Sequence, residues 1–259
     1  MISAMTTRFY HPRRQWIVGD DATGGLLMLP QFGSPSGGTH RPLNSYVVVF
    51  VSQNQRRALV FDAPFRHALP GIRGLKEEGI ELVGCVLSHA DLAGSGDAFD
   101  ALSAEFDLPL FLHPEDRHDP RVRGVMQEWH DPTEPGAFGD LPIEVLHWPG
   151  HTPGSIMLCT NEFGGVLLTG DSAIAPGPMQ PDDAPPLAIP PAPPRPFSPT
   201  DEEVCDAWSS LLKRWETDAA PRTLAPLHGE IYADTDAVPS LIQGLLQAAP
   251  MTPSVRRTA

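Results

Sequence analysis

Three segments of this chain set a histidine or an aspartate where an apolar run meets glycine or proline. Trp148-Pro149-Gly150-His151-Thr152-Pro153-Gly154-Ser155 holds His151 between two Pro/Gly turns, just ahead of a β-rich run. A side chain placed that way has little freedom left to lose. That suits a metal ligand, because binding energy is then not spent on ordering it. It equally suits a tight turn whose histidine caps a nearby carbonyl, and the segment alone does not separate the two. Val166-Leu167-Leu168-Thr169-Gly170-Asp171-Ser172 ends an apolar run on a carboxylate, which by itself is an ordinary turn former. Pro226-Leu227-His228-Gly229 again puts an imidazole beside glycine at a strand end. Imidazole and carboxylate together suit Zn²⁺, or Fe²⁺ or Mn²⁺ where more positions stay open. A metal so held supports hydrolysis, by acidifying water and polarising a carbonyl. Other chemistries lack their motifs, since the chain has no Gly-x-Ser-x-Gly elbow, Gly-x-x-x-x-Gly-Lys phosphate loop or Gly-x-Gly-x-x-Gly turn.

The elements that must position these groups read as two strand-rich halves. In the first, Trp16–Val18, Leu26–Leu29, Tyr46–Val51 and Ala58–Phe61 are short β-rich runs, followed by a helical pattern from Arg66 to Glu78 and a strand from Val83 to Ser88. Gly96 to Phe106 has helical spacing, Leu108 to Leu112 is a strand, and Pro114-Glu115-Asp116 is a helix start. The second half has strands at Ile143–His147, Ser155–Thr160 and Val166–Thr169. A helix opening at Thr200-Asp201-Glu202-Glu203 buries Val204, Trp208, Leu211, Leu212 and Trp215, and a last helix covers Val238 to Ala248. Between them, Ala175 to Pro199 is too proline-rich for a helix or a central strand and reads as a surface loop or flap. Two such halves predict an α/β fold with two sheets face to face and helices outside. The chain is read as one domain over 1–259, with a core from about 14 to 249 and the 175–199 loop inside it.

Composition narrows the partners. With 41% hydrophobic and 19% charged residues the chain is globular. A net charge of −14 would repel a phosphate backbone or an anionic bilayer, so neither nucleic acid nor a membrane is expected, and a small-molecule substrate is. No apolar run reaches the roughly 20 residues of a spanning helix. The opening MISAMTTRFYHPRRQW lacks the apolar stretch of a secretory signal. The three cysteines Cys85, Cys159 and Cys205 are widely spaced, which argues for free thiols and a cytoplasmic setting.

The run PGHTPGS, then LLTGD, then a late HG, resembles the metallo-β-lactamase superfamily, which includes glyoxalase II-type thioesterases. Upstream, Asn44-Ser45-Tyr46 and Leu59-Val60-Phe61-Asp62 are similar to that family's first hairpin. The resemblance implies a four-layer αββα sandwich of two mixed sheets. It also implies that His151, Asp171 and His228 are metal ligands, with Asp171 shared between two metal positions. The family's main signature, Thr-His-x-His-x-Asp-His-x-Gly-Gly, corresponds here to Leu87-Ser88-His89-Ala90-Asp91-Leu92-Ala93-Gly94-Ser95-Gly96. Counted from the strand, His89 is the first histidine and Asp91 replaces the second. Counted from the glycines, His89 is the second histidine and Asp91 the signature aspartate. Either way the loop is shortened and one histidine and one carboxylate remain. The ordinary reading of the pair is a helix entry, with Asp91 near the positive end of the helix dipole. The resemblance instead makes His89, Asp91, His151, Asp171 and His228 the ligand set, holding one ion rather than two, with Asp91 orienting or deprotonating the attacking water. It implies an ester, thioester or lactone-like substrate. The competing expectation is a catalytically retired fold kept as a binding or structural partner. His113 is read as a strand-end residue, and His130 and His147 as surface or supporting groups.

Overall fold

The computed structural model describes residues 13–30, 32–33, 42–52, 55–176, 185–190 and 201–248. The first sheet is built from β1 (Gln15–Asp20) and β2 (Gly24–Met28), then β5 (Tyr46–Ser52), β6 (Gln55–Phe61), β7 (Glu81–Val86), β8 (Leu110–Phe111) and β9 (Trp129–His130), in that spatial order. Two short strands, β3 (Phe32–Gly33) and β4 (Pro42–Leu43), pair separately. The second sheet runs β10 (Glu144–His147), β11 (Ile156–Thr160), β12 (Val166–Gly170) and β13 (Thr223–Pro226). Both sheets are mixed: β6–β9 are mutually parallel, as are β12 and β13, and the remaining pairs are antiparallel.

Side-chain alternation explains the layering. In β5, Tyr46, Val48 and Phe50 face the second sheet, while Val47 and Val49 face outward. The inward set meets Ile156, Leu158, Val166 and Leu168 in a core between the sheets. The outward set is covered by α1 (Leu69–Glu77), α2 (Ala90–Ser95) and α3 (Phe99–Ala104), through Ile72, Leu75, Leu92 and Leu102. On the far side Met157, Cys159 and Leu167 pack under α4 (Asp201–Arg214) and α5 (Val238–Ala248), through Trp208, Ile242 and Leu245. Strands buried on both faces must read as unbroken apolar runs, which is how Tyr46–Val51 reads. The result is the expected αββα sandwich.

Some local expectations are corrected. The helical pattern over Gly96–Phe106 is realised as the shorter α3, because Gly96 is extended (φ −69°, ψ 144°) and instead closes α2, a separate helix just upstream. The helix expected from Pro114 is a single 3₁₀ turn over Pro114–Asp116. α4 buries Val204, Trp208 and Leu211 as its spacing predicts. Most of the 175–199 loop lies outside the described residues. Within 185–190, Ala188 bridges Ile174 and Leu187 is buried in the core beneath α4. None of the three cysteines lies in a disulfide. Among the described residues no helix is long and apolar enough to cross a membrane.

Parallel strands deliver their carboxyl ends to one edge, so the residues following β6, β7, β12 and β13 collect there. The two sheets are joined at that edge by Ile156 N–H donating to the Ser88 carbonyl at 2.9 Å and by Asn44 N–H, just before β5, donating to the Leu227 carbonyl at 2.7 Å.

Candidate metal centre

At this edge the five side chains singled out in the sequence come together around Asp171. Its Oδ2 lies 3.7 Å from His89 Nε2 and 3.8 Å from His151 Nε2, and its Oδ1 lies 3.7 Å from His228 Nε2. Asp91 Oδ2 is 3.4 Å from His151 Nε2. Ligand atoms about 2.1 Å from a tetrahedral ion are themselves about 3.4 Å apart. These spacings are therefore those of a coordination shell, slightly open, and too long for direct hydrogen bonds. Asp171 Oδ1 is buried with no hydrogen-bond donor, an expense that a cation would offset. The donor set and the stranded oxygen fit a divalent ion.

Each group is held from outside the cluster. Asp171 follows Gly170, whose φ of +53° and close approach, with a Cβ there falling 2.4 Å from Ser88 Cβ, admit only glycine. His89 is extended and caps α2, which places Asp91 in the first helical turn. The helix-entry reading of this pair and its place in the cluster therefore hold together. His89 Nδ1 meets Ser88 Oγ at 2.8 Å, and Nδ1–H donation leaves the Nε2 lone pair facing Asp171. Burial pushes the His89 pKa down to about 4 against the pull of Asp171, so the ring is neutral near pH 7, as a ligand must be. Asp91 Oδ1 accepts from Arg121 Nη2 at 2.8 Å, and Arg121 is itself clasped by both oxygens of Asp119. Leu87 and Leu92, which flank the pair where the family signature has histidines, point into the core beneath the first sheet.

Beneath the cluster, Asp62 is fully buried at φ 54° and accepts from Ser88 N–H at 2.7 Å. Burial pushes its carboxyl up to about 8, with hydrogen bonds from Ser88 opposing and the charge of Asp171 adding. The unfolded chain would release this proton near the ordinary value of 3.8, the folded chain only near 8. The unfolded state thus holds fewer protons between those values, and stability falls as pH rises across the window. We expect Asp62→Asn, which keeps the amide-compatible φ, to flatten that part of the pH–stability profile of the metal-free protein. Denaturant titrations from pH 4 to 9 check this, and an unchanged slope in the variant would refute the protonation assigned to Asp62.

A second grouping, His113, Glu115 and His147, brings ligand-type atoms within 4.8 Å of one another. The two rings stack at 3.9 Å with planes 14° apart, so their in-plane lone pairs run side by side instead of converging. His147 Nε2 is engaged by the Pro153 carbonyl at 2.9 Å, in the turn that follows His151. This pair braces the His151 loop, in keeping with the supporting role expected of His147. Sequence reasoning missed three groups: Asp62, read only as a strand end, Asp116, read only as a helix start, and Arg121. For Asp62 the signal was a carboxylate directly after an apolar run. For Arg121 there was none.

Comparison with known proteins agrees with this geometry. Residues 38–221 match the model of the metallo-β-lactamase superfamily, a span that contains His89, Asp91, His151 and Asp171 and stops short of His228. A protein of Bacillus subtilis (strain 168) described as a probable metallo-hydrolase is 24% identical over 151 residues, 50% of this chain and 66% of its own length, so the match leaves about a third of that relative uncovered. A metallo-β-lactamase from Pontibacter korlensis superposes with a TM-score of 0.62 at 15% identity, covering 90% of this chain and 100% of that one. The metallo-β-lactamase FIM-1 from Pseudomonas aeruginosa, solved in its mono-zinc form, gives 0.61 at 15% identity over 92% and 95% of the two chains. Likeness at that identity speaks for the fold, and the fold with its His/Asp groups implies a divalent metal. By its matched sequence span, its αββα sandwich and the cluster at its strand ends, this chain belongs to the metallo-β-lactamase superfamily.

Proposed function

We propose that the protein is a metal-dependent hydrolase that works with one divalent ion, zinc in the first place and iron(II) or manganese(II) otherwise. Its substrate would be a small ester, thioester or lactone. The observation that carries the reading is Asp171, a partly buried carboxylate with histidine nitrogens at shell distance from both oxygens and no donor on its buried Oδ1. His89, His151 and Asp171 Oδ2 would supply three protein ligands, leaving a position for water beside Asp91 Oδ2. His228 and Asp171 Oδ1 make only half of a second shell, below the three protein ligands that a catalytic site needs. When bound, the ion would supply Lewis acidity toward a carbonyl and lower the pKa of water.

The chain's own residues supply the rest. Arg121 pins Asp91 through Oδ1, which leaves Oδ2 turned into the centre to orient the attacking water or take up its proton. Ser88 and Asp62 hold the His89 ring in the tautomer that faces inward. Thioesters and activated esters are the first substrates to test, since a thiolate or an activated alkoxide departs without protonation. The test is elemental analysis of protein purified without chelator, followed by turnover assays on a thioester and activated-ester panel. We expect at most about one ion per chain. Two tightly held ions would show that the His228 side is complete, and absence of both metal and turnover would refute the hydrolase reading.

A further inference from the structure

We infer that Asp116, which is no ligand itself, is the positioning residue that sets the spacing between the two ligand-bearing segments of the metal centre. The inference rests on the metal reading above. Those segments come from different sheets: Ser88–Asp91 follows β7 in the first, and the His151 turn joins β10 to β11 in the second. Hydrophobic packing between sheets does not fix such a spacing to a few tenths of an ångström, because it is not directional. Hydrogen bonds do, and here one carboxylate makes them to both sides.

Asp116 is 1% exposed. Its Oδ2 accepts from Ala90 N–H at 2.7 Å, the residue between His89 and Asp91, and from Thr152 Oγ1 at 2.6 Å, the residue after His151. Its Oδ1 accepts from Gly154 N–H at 2.8 Å, at the far end of the same turn. A single buried group thus grips one neighbour of each histidine, and it does so in the span where Asp91 Oδ2 approaches His151 Nε2 to 3.4 Å. The fit leaves no slack. A Cβ on Gly154 would fall 2.7 Å from Asp116 Cγ and 2.8 Å from its amide nitrogen, so glycine at 154 is what lets the turn close on the carboxylate. Thr152 is locked in turn, its Oγ1 and amide both within 2.9 Å of Ser155 Oγ. The stacked His113–His147 pair closes the bracket on the outer side, His113 three residues before Asp116 and His147 on the Pro153 carbonyl.

Outer partners of this kind typically change metal affinity by about 10- to 100-fold when removed. The experiment compares the parent protein with Asp116→Ala, Thr152→Val and Thr152→Ser. It reads Zn²⁺ affinity by chelator competition, the absorption spectrum of the Co²⁺-loaded protein, and the melting temperature of the metal-free form. We expect Asp116→Ala to weaken zinc about 10- to 100-fold and to alter the cobalt spectrum while still folded. Thr152→Val should weaken it less, and Thr152→Ser, which keeps the hydroxyl, should restore it. A purely structural Asp116 would lower the metal-free melting temperature yet leave affinity and spectrum at parental values, and that result overturns the inference. Should Asp116→Ala fail to fold, the threonine pair decides: equal zinc affinity for the valine and serine variants overturns it. If the parent itself takes up neither zinc nor cobalt, the metal reading fails and this inference goes with it, an outcome distinct from a parent that binds and variants that bind equally well.

Discussion

Asp171→Ala is expected to abolish tight metal binding and to cut hydrolysis by on the order of a thousandfold, about 4 kcal/mol of transition-state stabilisation. Its two oxygens stand at shell distance from three histidines, His89, His151 and His228. Removing it takes away the one carboxylate common to both sides of the centre. The effect should not come from misfolding. Asp171 contributes a charge that helps to push the Asp62 carboxyl up, and its Oδ1 is buried without a donor. The metal-free alanine variant should therefore melt no lower than the metal-free parent, while losing metal and turnover together. Thermal melts of both metal-free proteins, with metal content and rates measured in parallel, separate the two effects. Full turnover by the alanine variant would mean that the observed chemistry does not use this site.

Chelation supplies the second large effect. An ion that binds only the folded state stabilises it by RT ln(1 + [L]/Kd), about 2.7 kcal/mol at a hundredfold excess over Kd. In a domain of this size that corresponds to a fall of about 5 to 10 °C in melting temperature when the metal is withdrawn. His151→Ala should erase the difference between loaded and chelated protein, because it removes the nitrogen facing both Asp91 and Asp171. In the metal-free state the same substitution should cost little. His151 Nδ1 has no hydrogen-bond partner, and the ring's main contact is edge-on with His89 at 4.9 Å. If the native protein shows no shift on chelation and no bound metal, the alternative gains: a retired fold whose cluster serves binding or structure.

Much of the architecture was legible in the chain because both faces of most strands are buried. Tyr46–Phe50 and Val166–Thr169 could hardly be anything but interior strands, and the Val204/Trp208/Leu211 spacing marked the buried face of α4 before any contact was known. Boundaries were less legible. The helical pattern that opens at Gly96 yields α3 only from Phe99, since Gly96 itself is extended and ends α2. The Pro114 turn stops after one 3₁₀ turn, and the carboxylate of Asp116 within it is spent on Ala90, Thr152 and Gly154.

For the centre, sequence by itself determined which residues were candidates. Pro/Gly turns around His151 and strand ends before Asp171 and His228 are local features, readable from neighbours in the chain. They also set the edge, because parallel strands release their next residues on the same side. What only the tertiary structure decided is the support beneath them. Asp62 lies 26 residues from Ser88, Asp116 lies 36 from Thr152, and Arg121 reaches Asp91 from a different loop. Hydrogen bonds across such separations depend on where two sheets dock. No local spacing encodes that, because the docking is settled by the whole interior core at once.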